Sequence, residues 1–255
     1  MLITYAANNK NGLNVLKELK AQGFEIEYLI LHPKEKSKYL NEIIKEANVS
    51  QENIIFWKKD EKEKMIEKIN KKRSEILFSV NFGYKIPRKI LEKYRKSLNL
   101  HLSYLPYNKG SHPNVWAIVD ETPIGVTIHE MSEKIDEGRI IYQEEIKINS
   151  TDTGISLYEK LEEKAVDIIR REFKNIIENR YLPKENKNGT IHYVKDFNVI
   201  CRIDLNKEYK AKHLLNILRA LTYPPFKNAY FFDENGDKVY IEVKLTKECN
   251  NKNNI

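Results

Sequence analysis

The opening 33 residues, MLITYAANNKNGLNVLKELKAQGFEIEYLILHP (1–33), decide the fold. Met1–Ala7 is a short apolar run and predicts a buried strand. Asn8–Gly12 reads as a turn. In Leu13–Gln22, Leu13, Val15, Leu16 and Leu19 recur at helical spacing, and Gly23 stands where a C-cap glycine belongs. Phe24–His32 predicts a second strand, closed by Pro33. Strand, helix and strand of these lengths make a βαβ unit, the start of an open α/β fold. The turn ANNKNG lacks both GxGxxG and GxxxxGK[ST], so it is assigned to connection rather than to a nucleotide.

The alternation continues outward. Lys38–Ala47 and Glu61–Lys71 read as helices, with Met65, Ile66 and Ile69 on the inner face of the second. Asn53–Trp57 and Glu75–Val80 read as strands. Pro87–Tyr94 and Asn114–Val119 are short helices, and Thr122–His129 and Gly138–Ile148 are antiparallel strands around the loop Glu130–Glu137. Ser150–Arg180 is the longest helix; STDT supplies its caps, an apolar stripe runs from Ile155 to Ile177, and Pro183 closes it. The prediction is an α/β protein with an open, mostly parallel sheet and helices on both faces. Ligands of such sheets collect at the carboxyl ends of strands. The segment Asn81–Pro87 (NFGYKIP) lies at one such end, where Phe82 and Tyr84 either line a flat ligand or pack locally.

Beyond Gly189 the pattern changes. The β-like runs TIHYV, NVICRIDL, NAYFFD and KVYIEVKL surround one helix, Ala211–Ala220, and ENGD signals a hairpin. The expected organisation is a first domain at 1–184, a small β-rich C-terminal domain at 185–248, and a disordered tail at 249–255.

A chain of 255 residues with 41% hydrophobic side chains can bury one large core and a small appendage. The formal charge is +7. One reading is a nucleic-acid binder. The other is better supported, because Lys alternates with Glu in KKDEKEKMIEKINKKR and LEEKAVDIIRREFK, which makes solvated helical faces. No nucleic-acid partner is therefore expected, and the modest positive excess suits an anionic small substrate. Cys201 and Cys249 form no CxxC pair and no histidine pair has ligand spacing, so neither a disulfide scaffold nor a metal is expected. With no secretory signal and no apolar run approaching about 18 residues, the expected setting is cytoplasmic, away from membranes.

Polar chemistry concentrates in Leu98–Gln143. Leu98, Leu100 and Leu102 alternate with Asn99, His101 and Ser103, so a strand here presents the leucines on one face and the polar side chains on the other. A wetted edge strand is one explanation; a site is the other, favoured by Asn and His where Thr and Lys would serve an edge.

The ordered set Asn99-Leu100-His101, Ser103-Tyr104-Leu105-Pro106, Lys109-Gly110, Trp116-Ala117, Gly125-Val126-Thr127-Ile128-His129 and Asp136 resembles the folate-dependent formyltransferase family. The resemblance implies a Rossmann-like N-terminal domain and formyl transfer from N10-formyltetrahydrofolate to an amine. It implies that Asn99, His101 and Asp136 are catalytic. Attack of an amine on a formyl amide passes through a tetrahedral oxyanion. Asn99 suits an oxyanion donor, His101 a proton carrier, and Asp136 a partner that raises the pKa of His101. It also implies that Phe82, Tyr84 and Ile86 are neighbours of the pterin. His112 and His129 are expected in supporting roles.

Within this resemblance three acceptor classes compete. Glycinamide ribonucleotide formyltransferases lack the segment after Gly189. Methionyl-tRNA formyltransferases carry a fuller C-terminal barrel, and Tyr104 and Lys109 depart from their usual motif. Sugar-nucleotide N-formyltransferases fit best, which implies a UDP- or dTDP-linked amino deoxy sugar as substrate. Tyr223 and Phe226 are then candidates to stack the base, and Lys109, Arg219 and Lys227 to meet the pyrophosphate. The competing role for these aromatics is the core of the small domain. A homodimer is the candidate assembly.

Overall fold

Each inner strand buries both faces, because its odd and even residues meet different helices. In the computed structural model, which describes residues 1–58, 60 and 62–248, five strands come first. These are β1 (Leu2–Ala7), β2 (Glu25–Leu31), β3 (Ile54–Phe56), β4 (Ile76–Val80) and β5 (Lys96–His101). Between them lie α1 (Asn9–Ala21), α2 (Leu40–Ala47), α3 (Lys62–Ile69) and α4 (Arg88–Leu91). A two-residue strand β6 (Lys109–Gly110), α5 (Pro113–Val119), β7 (Ile124–Glu130), β8 (Ile140–Ile146) and the long α6 (Gly154–Ile177) follow.

The main sheet has the order β3-β2-β1-β4-β5-β7-β8. Neighbours from β3 to β5 pair in parallel, and β7 is antiparallel to both β5 and β8. The order reverses between β1 and β4, which opens a crevice at their carboxyl ends. Ile3, Tyr5 and Ala7 of β1 and Ile76, Phe78 and Val80 of β4 join the apolar cluster under α1 and α6. Ala6 and Leu77 join the cluster under α3 and α4. Phe173 of α6 closes the first cluster, 4.8 Å from Phe78 and 5.2 Å from Phe24 between ring centroids. Thr153 caps α6 and exchanges hydrogen bonds with Ser156, as the STDT cluster predicts.

The C-terminal part holds β9 (Ile191–His192), α7 (Val194–Cys201), α8 (Ala211–Leu221) and the hairpins β10 (Thr222–Tyr223) with β11 (Phe226–Lys227) and β12 (Ala229–Phe232) with β13 (Lys238–Ile241). The ENGD hairpin and the helix at 211–220 stand where expected, but α7 makes a second helix where one was expected. The run NVIC differs, being helical rather than extended. Asp196 accepts from the Tyr193 N–H at 2.7 Å and starts the helix, while Val194 and Val199 point outward, 57% and 73% exposed. Their β-branched side chains meet no sheet, so local capping prevails over strand propensity. Cys201, Ile203, Ile217, Ala220, Leu221 and Ala229 pack into the same apolar cluster as α5 and α6. The tail 249–255, with Cys249, lies outside the described residues.

Candidate active site

The leucine and polar faces of β5 separate as the alternation predicts. Leu98, Leu100 and Leu102 enter the core, leaving Asn99, His101 and Ser103 on the other face. Antiparallel pairing of β7 sets His129 opposite Asn99 and Thr127 opposite His101. The chain then turns back after β7, with Asp136 in the left-handed region at φ 52°, a conformation Asp tolerates better than most residues.

Asp136 is the hub. Its Oδ2 lies 3.6 Å from His101 Nε2 and accepts from the Gly110 N–H at 2.9 Å; its Oδ1 lies 3.4 Å from His129 Nε2. His129 Nδ1 donates to the Glu130 carbonyl at 2.7 Å, so in the neutral ring Nε2 is an acceptor. Asn99 Nδ2 donates to that nitrogen at 3.1 Å. One N–H of the Asn99 amide is thus held, and its orientation is set. His101 Nε2 donates to the Asn108 carbonyl at 3.3 Å, which leaves Nδ1 as the acceptor of the neutral ring.

Burial pulls the His101 imidazole below its ordinary value; Asp136 pushes it up and His129 down, and burial prevails. The Asp136 carboxylate acts in the direction expected from the sequence, but desolvation outweighs it. Burial thus biases the ring toward its neutral form. Burial would raise the Asp136 carboxyl, but His101, His129 and the Gly110 N–H together hold it well below the usual carboxylate range. The centre therefore pairs a largely buried carboxylate with an imidazole that burial biases toward its neutral form.

The other predicted residues fall into separate groups. Phe82 and Ile86 are buried in the α3/α4 cluster, with Tyr84 and Met131 packed against it. His32, Trp57, Phe82 and Tyr84 form an aromatic group with centroids 4.8 to 6.2 Å apart. A cavity of about 640 Å³ opens between α4, the start of β5 and the segment after α6, lined by Arg88, Leu91, Ser97, Met131, Lys134 and Tyr181 among others; Phe82, Tyr84, Ile86, Asn99, His101 and Asp136 do not line it. The Lys109 side chain is buried within β6. The Arg219 guanidinium is engaged by Asn216 Oδ1 and by the carbonyls of Asn149 and Asp152, which ties α8 to the start of α6. Lys227 lies over the Tyr240 ring. Tyr223 and Phe226 are 6.0 Å apart, with Lys38 over Phe226, and Tyr223 leans on Tyr158 at 5.8 Å.

Tyr158 extends this aromatic group into the crevice between β1 and β4. Asn81 donates to the Tyr158 hydroxyl at 3.2 Å, and Asn11 donates to Asn81 at 2.7 Å. The stretch Asn8–Gly12, read from sequence as a connecting turn, is helical from Asn9 onward, and Asn11 in the first turn of α1 brings its side chain to the crevice. Sequence reasoning also passed over Asn108 and underrated His129. Asn108 carries no motif, and its only signal is an Asn before Lys-Gly, a residue suited to its φ of 55°. Among the described residues, no group of His, Cys, Asp and Glu could hold a metal, and no helix is long and apolar enough to cross a membrane.

Comparison with known proteins identifies the family of the chain. The family model described as formyl transferase matches residues 2–172. A second, described as N-formyltransferase dimerization C-terminal domain, matches residues 196–247. A dTDP-4-amino-4,6-dideoxyglucose formyltransferase of Mycobacterium tuberculosis is 36% identical over 177 residues, covering 69% of this chain and 75% of that protein. A 4-N formyltransferase of Francisella tularensis superposes with a TM-score of 0.83 at 28% identity, covering 97% of this chain and 98% of the other. The formyltransferase PseJ of Anoxybacillus kamchatkensis, solved with UDP-4,6-dideoxy-4-formamido-L-AltNAc and tetrahydrofolate, gives a TM-score of 0.54 at 25% identity, covering 77% of this chain and 87% of that one.

Proposed function

The chain belongs to the formyltransferase family, and from that premise we propose that it moves the formyl group of N10-formyltetrahydrofolate to the amino group of a nucleotide-linked amino deoxy sugar. The observation that carries this reading is the shared carboxylate. Asp136 stands between His101 and His129, and His129 fixes Asn99. The relatives named for dTDP-amino sugars and the neighbour holding a UDP-linked formamido sugar with tetrahydrofolate support the substrate class.

In this reading the sugar amine attacks the formyl carbon and forms the new C–N bond. The carbonyl oxygen becomes an oxyanion that accepts from the Asn99 N–H not used by His129. Neutral His101 takes the proton released by the amine, and Asp136 stabilises the resulting imidazolium. Collapse of the intermediate breaks the bond to N10, which receives that proton and leaves as tetrahydrofolate. The buried, partly desolvated setting strengthens each of these charge contacts.

The folate belongs beside Phe82, Tyr84 and Ile86, whose cluster Met131 also packs against, next to the loop bearing Asp136. The nucleotide sugar belongs in the crevice of Asn11, Asn81 and Tyr158, under Tyr223 and Phe226. We assign a homodimer to the C-terminal part, consistent with the description of its family model. The test is an assay of purified protein with N10-formyltetrahydrofolate and a panel of UDP- and dTDP-linked amino sugars. Transfer to at least one supports the reading. Transfer to none of them, or to charged initiator tRNA instead, removes it.

A further inference from the structure

We propose that the linker 184–192 is part of the frame of the reaction centre, and that Asn186 and Thr190 are positioning residues for Asp136 and His101. The inference rests on the reading of Asn99, His101 and Asp136 as that centre. The linker lies between the two segments that family models match, which end at 172 and resume at 196.

The side chain of Asn186 is buried and spends both N–H groups on the turn that carries Asp136. It donates to the Asp136 carbonyl at 2.7 Å and to the Gly138 carbonyl at 2.9 Å. Its Oδ1 has no hydrogen-bond partner among the described residues, so the two donations are its polar contribution. Lys184 adds a backbone bridge to Ile140 just beyond that turn.

Thr190 holds the other side. Its Oγ1 accepts from the Asn108 N–H at 2.8 Å and donates to Asn108 Oδ1 at 3.2 Å, while its carbonyl accepts from the Lys109 N–H at 2.9 Å. Asn108 is the residue whose carbonyl accepts from His101, and Gly110 is the one whose N–H holds Asp136. One strand of chain thus grips both loops that meet at the His101–Asp136 pair.

The crossing is close enough to dictate residue type. A Cβ on Gly189 would sit 1.7 Å from the Pro106 carbonyl oxygen, and one on Gly110, at φ 85°, would sit 2.3 Å from that of His192. The gripped loops need outside support, because Asn108 and Asp136 both hold left-handed backbone, at φ 55° and 52°. Loops in such conformations drift unless the surroundings over-determine them, and misplacement of a catalytic group by about 1 Å can cost about a hundredfold in rate.

The test uses the full chain with N10-formyltetrahydrofolate and the nucleotide-linked amino sugar that turns over fastest. Thr190→Val and Asn186→Ala should each lower kcat about tenfold, as loss of an orienting partner does in other sites, with KM for both substrates unchanged. Thr190→Ser, which keeps the hydroxyl, should restore kcat to within about twofold of wild type. In an Asp136→Asn background, Asn186→Ala should lower kcat no further, because coupled residues are not additive. Unchanged kcat in both variants, or an undiminished effect of Asn186→Ala in the Asp136→Asn background, would overturn the proposal. If Asn186→Ala does not fold, the Val and Ser variants at 190 decide alone: kcat of Thr190→Val equal to that of Thr190→Ser overturns it. Wild-type turnover by His101→Ala would instead remove the reading of the centre itself.

Discussion

The proposed reaction centre and the proposed acceptor crevice are built in opposite ways. At the centre, the groups converge on one carboxylate, and a hydrogen bond that we can name sets the orientation of Asn99, His101 or His129. In the crevice, side chains come from four distant segments, the first turn of α1, the end of β4, α6 and the β10–β11 hairpin, and they meet through ring contacts and a short amide chain. A hydrogen-bonded hub fixes geometry for one reaction. An assembly of aromatic and amide surfaces fixes a shape, and shape can be retuned for another acceptor by substitutions that leave the chemistry alone.

That contrast breaks if substitutions in the two regions have the same kinetic signature. The largest effect is expected for His101→Ala, a loss of about 10²–10⁴ in kcat with little change in KM, measured under steady-state conditions. Asn99→Ala should follow, with about 10²–10³ lost from kcat and an unaltered unfolding temperature. Tyr223→Ala should act on the other parameter. Loss of a stacking face worth about 1–3 kcal/mol raises KM for the nucleotide sugar roughly five- to hundredfold and leaves kcat nearly unchanged. A fall in kcat without a rise in KM would move Tyr223 out of the crevice reading.

The pH dependence sharpens the comparison further. In the proposed mechanism His101 must be unprotonated to act as the base, and burial lowers its pKa. Activity is therefore retained as pH falls past the ordinary histidine value, and the acid limb of kcat/KM should have its midpoint below about 6.5. Asp136 favours the protonated ring, so Asp136→Asn should move that limb lower still. An upward movement would contradict the electrostatics described here. The smallest effect is expected away from both regions. Thr153→Ala removes the cap of α6 and should cost about 1 kcal/mol, or roughly 3 °C in Tm, with kinetics preserved.

Much of the frame was legible in residue order. The apolar spacing of residues 1–33 describes β1, α1 and β2, and the Leu98–Leu102 alternation separates the two faces of β5. That Asn99, His101 and Asp136 belong together was legible because their spacing along one segment is itself the motif, and the structure brings them into one contact network. His129 was visible in that motif, but its importance depends on strand register: only antiparallel pairing places it opposite Asn99. Asn186 and Thr190 left no trace, since an Asn and a Thr in a polar stretch such as ENKNGT match any surface loop. Their partners lie 50 and 82 residues away in sequence. Propensity misled at NVIC for a related reason, because β-branched residues signal a strand only where a sheet exists to receive them.

The close crossing of Gly189 over Pro106 has a consequence for recombining such enzymes. A designer who joins this catalytic segment to a foreign C-terminal unit would naturally place the seam in the polar stretch between Pro183 and His192. A seam there exchanges Asn186, Gly189 and Thr190 together. Any side chain brought in at Gly189 would meet the Pro106 carbonyl before the new unit could dock. The safe seam lies after Tyr193, so the donor of the catalytic segment must also donate the linker.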